Sequence, residues 1–296
     1  MNQRPYRDLM DRARMAELVY AFPDEHLNVV DLPYRLSSWA LDVPENVCLW
    51  EDETGNLAAW AMVRTPWLSL DYALRPDADS LEKAIVAWAV ERCQRIADEQ
   101  NEKFPLFVRV RPERSSLMTL LENQNFQRND WSLVHLTCTM TNAVAQPHFP
   151  FGFLVRPLRG ISEIPDYVAL HRAAFGSNAM TVDWRARTLD MPEYAPQLDL
   201  FVIAPDEKPV AFCIGWLHGA DAQVEPIGVH PDYQKLGLGR ALLLDVLRRM
   251  HAGGADRVHI ESYSDNDPAR GLCESVGFEV KHTLLSYLRE FKSCLS

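Results

Sequence analysis

The chain has 296 residues, of which 47% are hydrophobic and 24% charged, a composition that is ordinary for a globular protein and excludes extensive disorder. It carries 41 acidic against 30 basic residues, a net charge of -11, and since neither half is basic we expect no nucleic-acid partner. No stretch approaches the ~20 apolar residues that cross a bilayer, and six cysteines without a C-x-x-C pair indicate reduced thiols. We therefore expect a cytoplasmic protein with no membrane partner and leave its oligomeric state open.

Two halves of the chain resemble each other in short segments that keep the same order. Leu74–Asp77 resembles Val229–Asp232 at an offset of 155 residues, and Leu120–Phe126 resembles Leu272–Phe278 at an offset of 152. An offset that drifts so little favours a duplicated unit over chance similarity. The sequence therefore predicts two tandem copies of one fold.

The predicted copies occupy residues 1–144 and 153–296, and the segment 145–152, with its two prolines, is the predicted linker. In the second copy, hydrophobic periodicity and turn residues predict an irregular alternation of strands and helices. The predicted strands are 153–156, 198–203, 209–217, 223–229, 257–263 and 282–289. The predicted helices are 161–175, 240–250 and 268–276. This order predicts an α/β or α+β domain.

The segment Glu225–Ala241 carries the strongest chemical signal. A strand ends in His-Pro, a short loop with Gly237 and Gly239 follows, and a helix begins. Glycine lets the backbone approach a ligand closely, and the unpaired N–H groups at a helix start bind anions such as a pyrophosphate. The third glycine of a dinucleotide-binding fingerprint is missing, because Leu242 stands there, and no P-loop pattern occurs.

Two motifs in the second half resemble signatures of the GNAT acetyltransferase superfamily. Residues 234–239, QKLGLG, resemble its Q/R-x-x-G-x-G/A motif, and Asn266–Phe278 resembles a second signature that ends in G-F. The resemblance covers roughly Phe153–Phe291, and the pairing of one equipped copy with one degenerate copy resembles the mycothiol synthases. It implies two tandem GNAT-like domains, each a mixed, mostly antiparallel central sheet flanked by helices, in an acetyl-CoA-dependent N-acetyltransferase.

The resemblance also implies where acetyl-CoA binds. The strand that ends at Val229 is expected to splay from strand 257–263 and to hold the pantetheine arm in the gap. Backbone groups at the end of that strand are expected to pair with the arm and the thioester, namely those of Ile227, Gly228 and Val229. The pyrophosphate is expected on Gln234, Lys235, Leu236, Gly237, Leu238, Gly239 and Arg240. Asn266 is expected near the thiol end, and no metal is implied.

Acetyl transfer to an amine needs a base and can use an acid. Glu225 stands where many relatives carry the carboxylate base; the alternative is a carboxylate that only hydrogen-bonds its surroundings. Relatives often have a tyrosine acid where this chain has Cys273. A thiol with a reference pKa of ~8.5 can protonate a thiolate, whereas the simpler interpretation is an inert core thiol. Tyr263, Tyr287 and solvent are the other candidate acids.

The first copy lacks the pyrophosphate loop. Its corresponding helix start contains Asp77 and Asp79 but no glycine, and Arg114 takes the place of Asn266. We therefore expect a degenerate, non-catalytic first domain.

The acceptor is predicted to be a small-molecule or peptide amine. Its choice is expected to depend on Asp183, Trp184 and the segment Leu189–Pro196, which lie where relatives place the acceptor. The alternative function is a non-catalytic protein that binds or senses acyl-CoA.

Overall fold

The computed structural model of the protein describes residues 1–140 and 144–294. The chain divides into two compact units: the first comprises Met1–Leu133 with the chain from Thr283 onward, and the second comprises Val134–His282. Each boundary falls inside a strand, so two strands contribute one end to each unit.

The division differs from the predicted domain limits at both ends of the second copy. The predicted linker, 145–152, lies inside the second unit, and the final residues from Thr283 onward cluster with the first. The reason is pairing: Leu285–Phe291 forms an antiparallel ladder with Phe104–Val110 of the first unit. Residues 141–143, at the end of the first predicted domain, lie outside the described residues.

The first unit contains a four-stranded antiparallel sheet with strands in chain order. The four strands of this sheet are β1 (Asn2–Pro5), β2 (Val47–Glu51), β3 (Leu57–Met62) and β4 (Asp71–Leu74). The first unit also contains β5 (Phe104–Val110) and the first part of β6 (Gln127–Thr139), which crosses into the second unit. Its helices are α1 (Leu9–Ala21), α2 (Leu32–Leu36), α3 (Glu82–Gln100) and α4 (Ser115–Asn123). Beyond the four-stranded sheet, β5 pairs with the last strand of the chain.

The second unit repeats this order of elements. Its strands are β7 (Leu154–Pro157), β8 (Asp199–Ile203), β9 (Pro209–His218), β10 (Asp221–Val229), β11 (Arg257–Tyr263) and β12 (Glu279–Phe291), the last of which crosses into the first unit. Its helices are α5 (Ile164–Phe175), α6 (Val182–Leu189), α7 (Leu238–Ala252) and α8 (Asp267–Glu274). Each unit thus runs strand, two helices, three strands, helix, strand, helix, strand. The predicted tandem fold is confirmed.

The sheet of the second unit is mixed and mostly antiparallel, as predicted. Strands β7 to β10 pair antiparallel with their neighbours, whereas β10 and β11 pair parallel. On one face, Val224 and Ile260 pack with Leu242 of α7 in a buried cluster. On the other face, a Cβ added to Gly228 would lie 3.0 Å from the Cβ of Ala174 on α5. Helices therefore cover both faces, with α7 on one and α5 on the other.

Among residues 1–140 and 144–294, every helix is too short or too polar to span a membrane.

A buried histidine makes the second unit sensitive to acid. His171 of α5 lies among aromatic rings, with ring centroids 4.7 Å from Phe175 and 5.5 Å from Phe212. Burial, reinforced by nearby Arg185 and Arg172, lowers the pKa of His171 to about 4. An unfolded histidine has a pKa of ~6.5, so between these values the unfolded chain binds the additional proton. The free energy of unfolding therefore falls as the pH falls through this window, by at most roughly 1.4 kcal/mol per pH unit.

We predict that His171→Phe loses less thermal stability than the wild type on acidification, because phenylalanine has no proton to gain. The measurement is the Tm of both proteins near pH 7 and near pH 5. His148→Phe, at an exposed histidine, is the matched control. Its Tm should fall between pH 7 and pH 5 by as much as the Tm of the wild type. An equal fall in Tm for wild type and His171→Phe would contradict the assignment.

Candidate active site

The site begins where two parallel strands separate. Residues Asp221–Gln223 of β10 pair with Arg257–His259 of β11, and the paired register ends there among the described residues. Beyond this point β10 remains bound to β9 on its other side, as far as Val229. The edge of β10 that faces β11 therefore leaves backbone groups free of strand pairing, next to a gap between the two strands.

Ile227, Gly228 and Val229 form the end of β10 along this gap. The side chains of Ile227 and Val229 pack against the core under α7. Gly228 packs on the opposite face of the sheet, where an added Cβ would come within 2.7 Å of the Phe212 ring. The backbone of the strand is thus fixed by packing on both faces.

Glu225 lies at the irregular point of β10. The register between β10 and β9 shifts between Val224 and Ile227, a bulge that redirects the backbone. The Glu225 carbonyl accepts a hydrogen bond of 2.8 Å from the indole Nε1 of buried Trp216. The Glu225 side chain is half-buried and belongs to the segment of β10 that lies beyond its pairing with β11; its role as the base stays a prediction.

The glycine loop brings unpaired N–H groups to the start of α7. Gly237 caps the helix with a φ of 82°, in the left-handed region that favours glycine. The first backbone bond into the helix runs from Ala241 N to Gly237 O at 3.0 Å. The N–H groups of Leu238, Gly239 and Arg240 precede that bond and have no carbonyl partner one turn back. With the helix dipole they form a site for an anion.

Of the two loop glycines, Gly239 is the one where an added Cβ meets neighbouring atoms. A Cβ there would lie 3.3 Å from a methyl of Leu272 and 3.4 Å from a methyl of Val229. At Gly237 nothing lies within 4 Å of an added Cβ, so its need for glycine is conformational. The two glycines therefore serve different purposes: Gly237 supplies the turn, and Gly239 lets the helix start lie close to the strand and to α8.

The polar side chains predicted to bind the cofactor surround this loop. Gln234, Lys235, Leu236 and Arg240 are exposed. The Gln234 amide donates to Val229 O at 3.4 Å, and the Arg240 guanidinium donates to Ser275 O at 3.3 Å. Lys235, in the same loop, has a φ of 62°.

Asn266 begins α8. Its side-chain oxygen accepts from the Ala269 N–H at 3.2 Å, and Pro268 occupies the first helical turn. The side chain therefore has a structural role as a helix cap, and it follows β11 on the side of the gap.

The Cys273 thiol is in the core rather than at the gap. Cys273 is 2% exposed and belongs to the buried cluster that includes Leu238 and Phe278. Burial, with a smaller contribution from Glu274, raises the pKa of the thiol to about 11. Both observations favour the packing role that the sequence left open.

The other candidate acids are placed differently. Tyr287 belongs to the first unit, is buried, and donates from its hydroxyl to Glu122 at 3.4 Å. Tyr263 lies at the end of β11 and is 52% exposed.

Of the residues predicted to choose the acceptor, Trp184 is buried in the core of the second unit, whereas Asp183 is exposed.

The corresponding helix start in the first unit carries acidic side chains. A 3-10 helix, Pro76–Leu81, runs directly into α3 and places Asp77 and Asp79 in its first turn. Negative charge at a helix start repels a pyrophosphate. Arg114 is occupied in an ion pair with Glu82 at 2.8 Å.

Sequence reasoning missed a histidine cluster on β6 and β11. His259 and Glu261 stand two residues apart on β11. In the structure His135, 124 residues away, contacts both of them. Only strand pairing brings β6 beside β11, and no local pattern signals it.

A family model supports the assignment of the second unit. Residues 166–278 match the acetyltransferase (GNAT) family. A mycothiol acetyltransferase of Kineococcus radiotolerans is 35% identical over 151 residues, which cover 49% of this chain and 48% of that protein. A mycothiol acetyltransferase of Streptomyces avermitilis is 28% identical over 152 residues, 50% of this chain and 49% of that protein. The chain thus spans about half the length of the curated relatives it matches.

Solved structures match over nearly the whole chain. A GCN5-related N-acetyltransferase from Sphaerobacter thermophilus superposes with a TM-score of 0.71 at 19% identity, covering 98% of this chain and 96% of that one. A tandem GNAT protein from the clavulanic acid biosynthesis pathway gives a TM-score of 0.67 at 14% identity, covering 98% of both chains. At these identities the likeness shows the fold.

Proposed function

Residues 166–278 belong to the GNAT acetyltransferase family, and from this premise we propose that the chain transfers the acetyl group of acetyl-CoA to an amine. The observation that carries the proposal is the gap between β10 and β11, which opens beside the unpaired N–H groups of Leu238, Gly239 and Arg240. One end of the gap offers an extended backbone edge for an amide-containing arm. The other offers positive potential for a pyrophosphate.

The residues present fit acetyl-CoA as a substrate. The pyrophosphate takes the N–H groups from Lys235 to Arg240, with Lys235 and Arg240 contributing positive charge. The Gln234 N–H is already bonded to Pro231 O at 3.3 Å. The pantetheine amides pair with the free edge of β10 at Ile227, Gly228 and Val229. The loop has the glycine φ and the close packing at Gly239 that such an approach requires.

Glu225 acts as the base in the proposed reaction. The nitrogen lone pair of a neutral amine attacks the thioester carbon, Glu225 accepts a proton from that nitrogen, and the carbon–sulfur bond breaks. The departing thiolate takes up a proton, so the products are an amide and coenzyme A. We propose that solvent or Tyr263, rather than the buried Cys273, supplies that last proton.

The first unit is proposed to be a degenerate copy without an acetyl-CoA site. The aspartates at the start of its helix and the ion-paired Arg114 support this assignment. One acetyl-CoA therefore binds per chain.

The acceptor is proposed to be a small-molecule amine. Curated relatives are named mycothiol acetyltransferases, after a small molecule. The test is release of coenzyme A from acetyl-CoA with a panel of small amines and peptides, with mass spectrometry of the product. We expect release with at least one small amine and a mass gain of one acetyl group. Binding of acetyl-CoA without release for any amine would instead favour the acyl-CoA-sensing alternative.

We predict that Cys273→Ser lowers the Tm and leaves kcat unchanged. A serine hydroxyl in an apolar core loses solvation without gaining a partner, which costs roughly 1–3 kcal/mol. Cys273→Ala is the matched control, because it shortens the side chain without adding a hydroxyl. Measuring kcat and Tm for both variants separates packing from acid catalysis. A large loss of kcat in Cys273→Ser with an unchanged Tm would identify the thiol as the acid.

A further inference from the structure

Two histidines and two carboxylates form a continuous chain across three strands of the second unit. Asp221 of β10 contacts His259 Nε2 at 3.1 Å, and His259 Nδ1 contacts His135 Nε2 at 2.9 Å. His135 Nδ1 lies 3.4 Å from a carboxylate oxygen of Glu261. We call these four residues the histidine relay.

The histidine relay has room for one proton more than two neutral imidazoles carry. Ionised carboxylates accept hydrogen bonds only, so both outer contacts need an N–H, and the contact between the rings needs a third. Two neutral rings supply two N–H groups. When all three contacts are filled, the ring pair carries one positive charge between two negative ones, and the middle proton can reside on either ring. In that state the two rings share the middle proton, and they titrate as a pair rather than as separate residues.

The histidine relay runs from a buried end to a solvated end. Glu261 is 11% exposed and His135 is 15% exposed, whereas Asp221 is 32% exposed and is bonded to the exposed Arg257. Burial lowers the pKa of His259, an effect that its bond to Asp221 opposes. Burial raises the pKa of Asp221, but bonds from Arg257 and His259 outweigh it and hold that pKa below its ordinary value.

The buried end lies at the gap between β10 and β11. Gln223 and His259 are the last paired residues of the two strands, and Glu225 and Glu261 each follow two residues later. Ile260 faces α7, so Glu261, the next residue of the regular strand β11, points to the opposite face. On β10, Val224 and Ile227 at the two ends of the bulge both pack under α7, so the bulged residue Glu225 between them lies toward the other face. Glu261 thus occupies the position across the gap from the proposed base.

Acetylation of an ammonium releases two protons from nitrogen, and Glu225 accounts for one. We propose, on the basis of the proposed acetyl transfer, that Glu261 accepts the first proton from the bound ammonium and that the His135–His259 pair carries it to water at Asp221. An ammonium N–H bond breaks, a carboxylate O–H bond forms, and the proton moves to the ring pair and then to solvent. The nitrogen keeps its electron pair and attacks as described. Glu261 is a further catalytic residue, and His135 and His259 are positioning residues.

Several other charged groups face the histidine relay. From β12, His282 stacks on His135 with ring centroids 4.8 Å apart and planes 6° apart. From β11 comes Arg257, whose Nε bonds to a carboxylate oxygen of Asp221 at 2.7 Å. A titration of the ring pair is therefore compared between the wild type and variants of these neighbours.

The first test reads the proton inventory without using activity. ¹⁵N spectra of the histidine rings distinguish protonated from neutral nitrogens and the two neutral tautomers. We expect His135 and His259 to share a third N–H that both rings lose in one common titration. Two rings that titrate independently, or that never hold more than two N–H protons between them, would overturn the relay whatever the activity.

The second test compares pH profiles of kcat/KM for a working amine in wild type, Glu261→Gln and His135→Gln. Above the pKa of the free amine all three should react equally, because no ammonium proton must leave. Near pH 7 both variants should be at least tenfold slower, since only the neutral amine then reacts. Asp256→Asn, at an exposed carboxylate beside β11, should follow the wild type at every pH.

The outcomes separate the two proposals. If wild type releases no coenzyme A with any amine, the proposed function fails, and the ring spectra still report on the shared proton. If wild type is active and both variants keep the wild-type profile, the catalytic role of Glu261 fails alone. A uniform loss of rate at all pH values in the variants would assign the cluster a purely structural role and also overturn the proposal.

Discussion

Glu225→Gln should lower kcat on the order of 10²-fold, the scale of a lost general base. Glutamine preserves the size of the side chain and its hydrogen bonding but cannot accept a proton. The strand itself should not move, because the Trp216 indole holds the backbone carbonyl of Glu225 rather than its carboxylate. The affinity for acetyl-CoA should therefore stay unchanged. The measurement is kcat together with the Kd for acetyl-CoA.

The control for this variant is Glu207→Gln, at an exposed carboxylate in the turn between β8 and β9. It makes the same chemical change at a distance from the gap and should retain wild-type kcat. The loss in Glu225→Gln should persist at high pH, unlike the loss expected for Glu261→Gln. A kcat equal to that of the wild type would leave Glu225 with a structural role and require another base.

Gly239→Glu should reduce acetyl-CoA binding by at least an order of magnitude. It places a negative side chain at the start of α7, where the proposed pyrophosphate lies, so charge repulsion opposes the helix dipole. The added Cβ also meets Leu272 and Val229 at 3.3 and 3.4 Å. Calorimetry with acetyl-CoA measures the effect, and circular dichroism checks that the helix persists.

Two controls divide this effect into its parts. Gly239→Ala adds the Cβ without charge and should bind more weakly than wild type but more tightly than Gly239→Glu. Ser80→Glu adds the same charge to the exposed helix start of the first unit and should bind as wild type does. Normal binding by Gly239→Glu, or weakened binding by Ser80→Glu, would place the cofactor elsewhere.

The local elements of the second unit were largely predictable from sequence. Helix α7, predicted at 240–250, extends over Leu238–Ala252, and strand 257–263 has the predicted bounds. Apolar periodicity and the flanking glycines determine these elements locally. The glycine loop follows from a short local motif, whereas the gap between the strands was an implication of the family resemblance.

Long-range pairing was not predictable in this way. Nothing near Thr283 indicates that the last strand pairs with β5, because that ladder joins residues about 180 positions apart. The contact between His135 and His259 has the same origin. Burial of Cys273 depends on the packing of the whole core. The sequence therefore left open whether its thiol is an acid or an inert core residue, and the buried environment favours the core role.

The central claim is that one copy of a duplicated fold holds acetyl-CoA. Titration calorimetry of the wild-type chain tests it most directly. We predict a stoichiometry of one acetyl-CoA per chain, abolished or strongly weakened by Gly239→Glu and unchanged by Ser80→Glu. Two equivalent acetyl-CoA sites per chain, or no binding of acetyl-CoA at concentrations that saturate other acetyl-CoA-dependent acetyltransferases, would contradict this prediction.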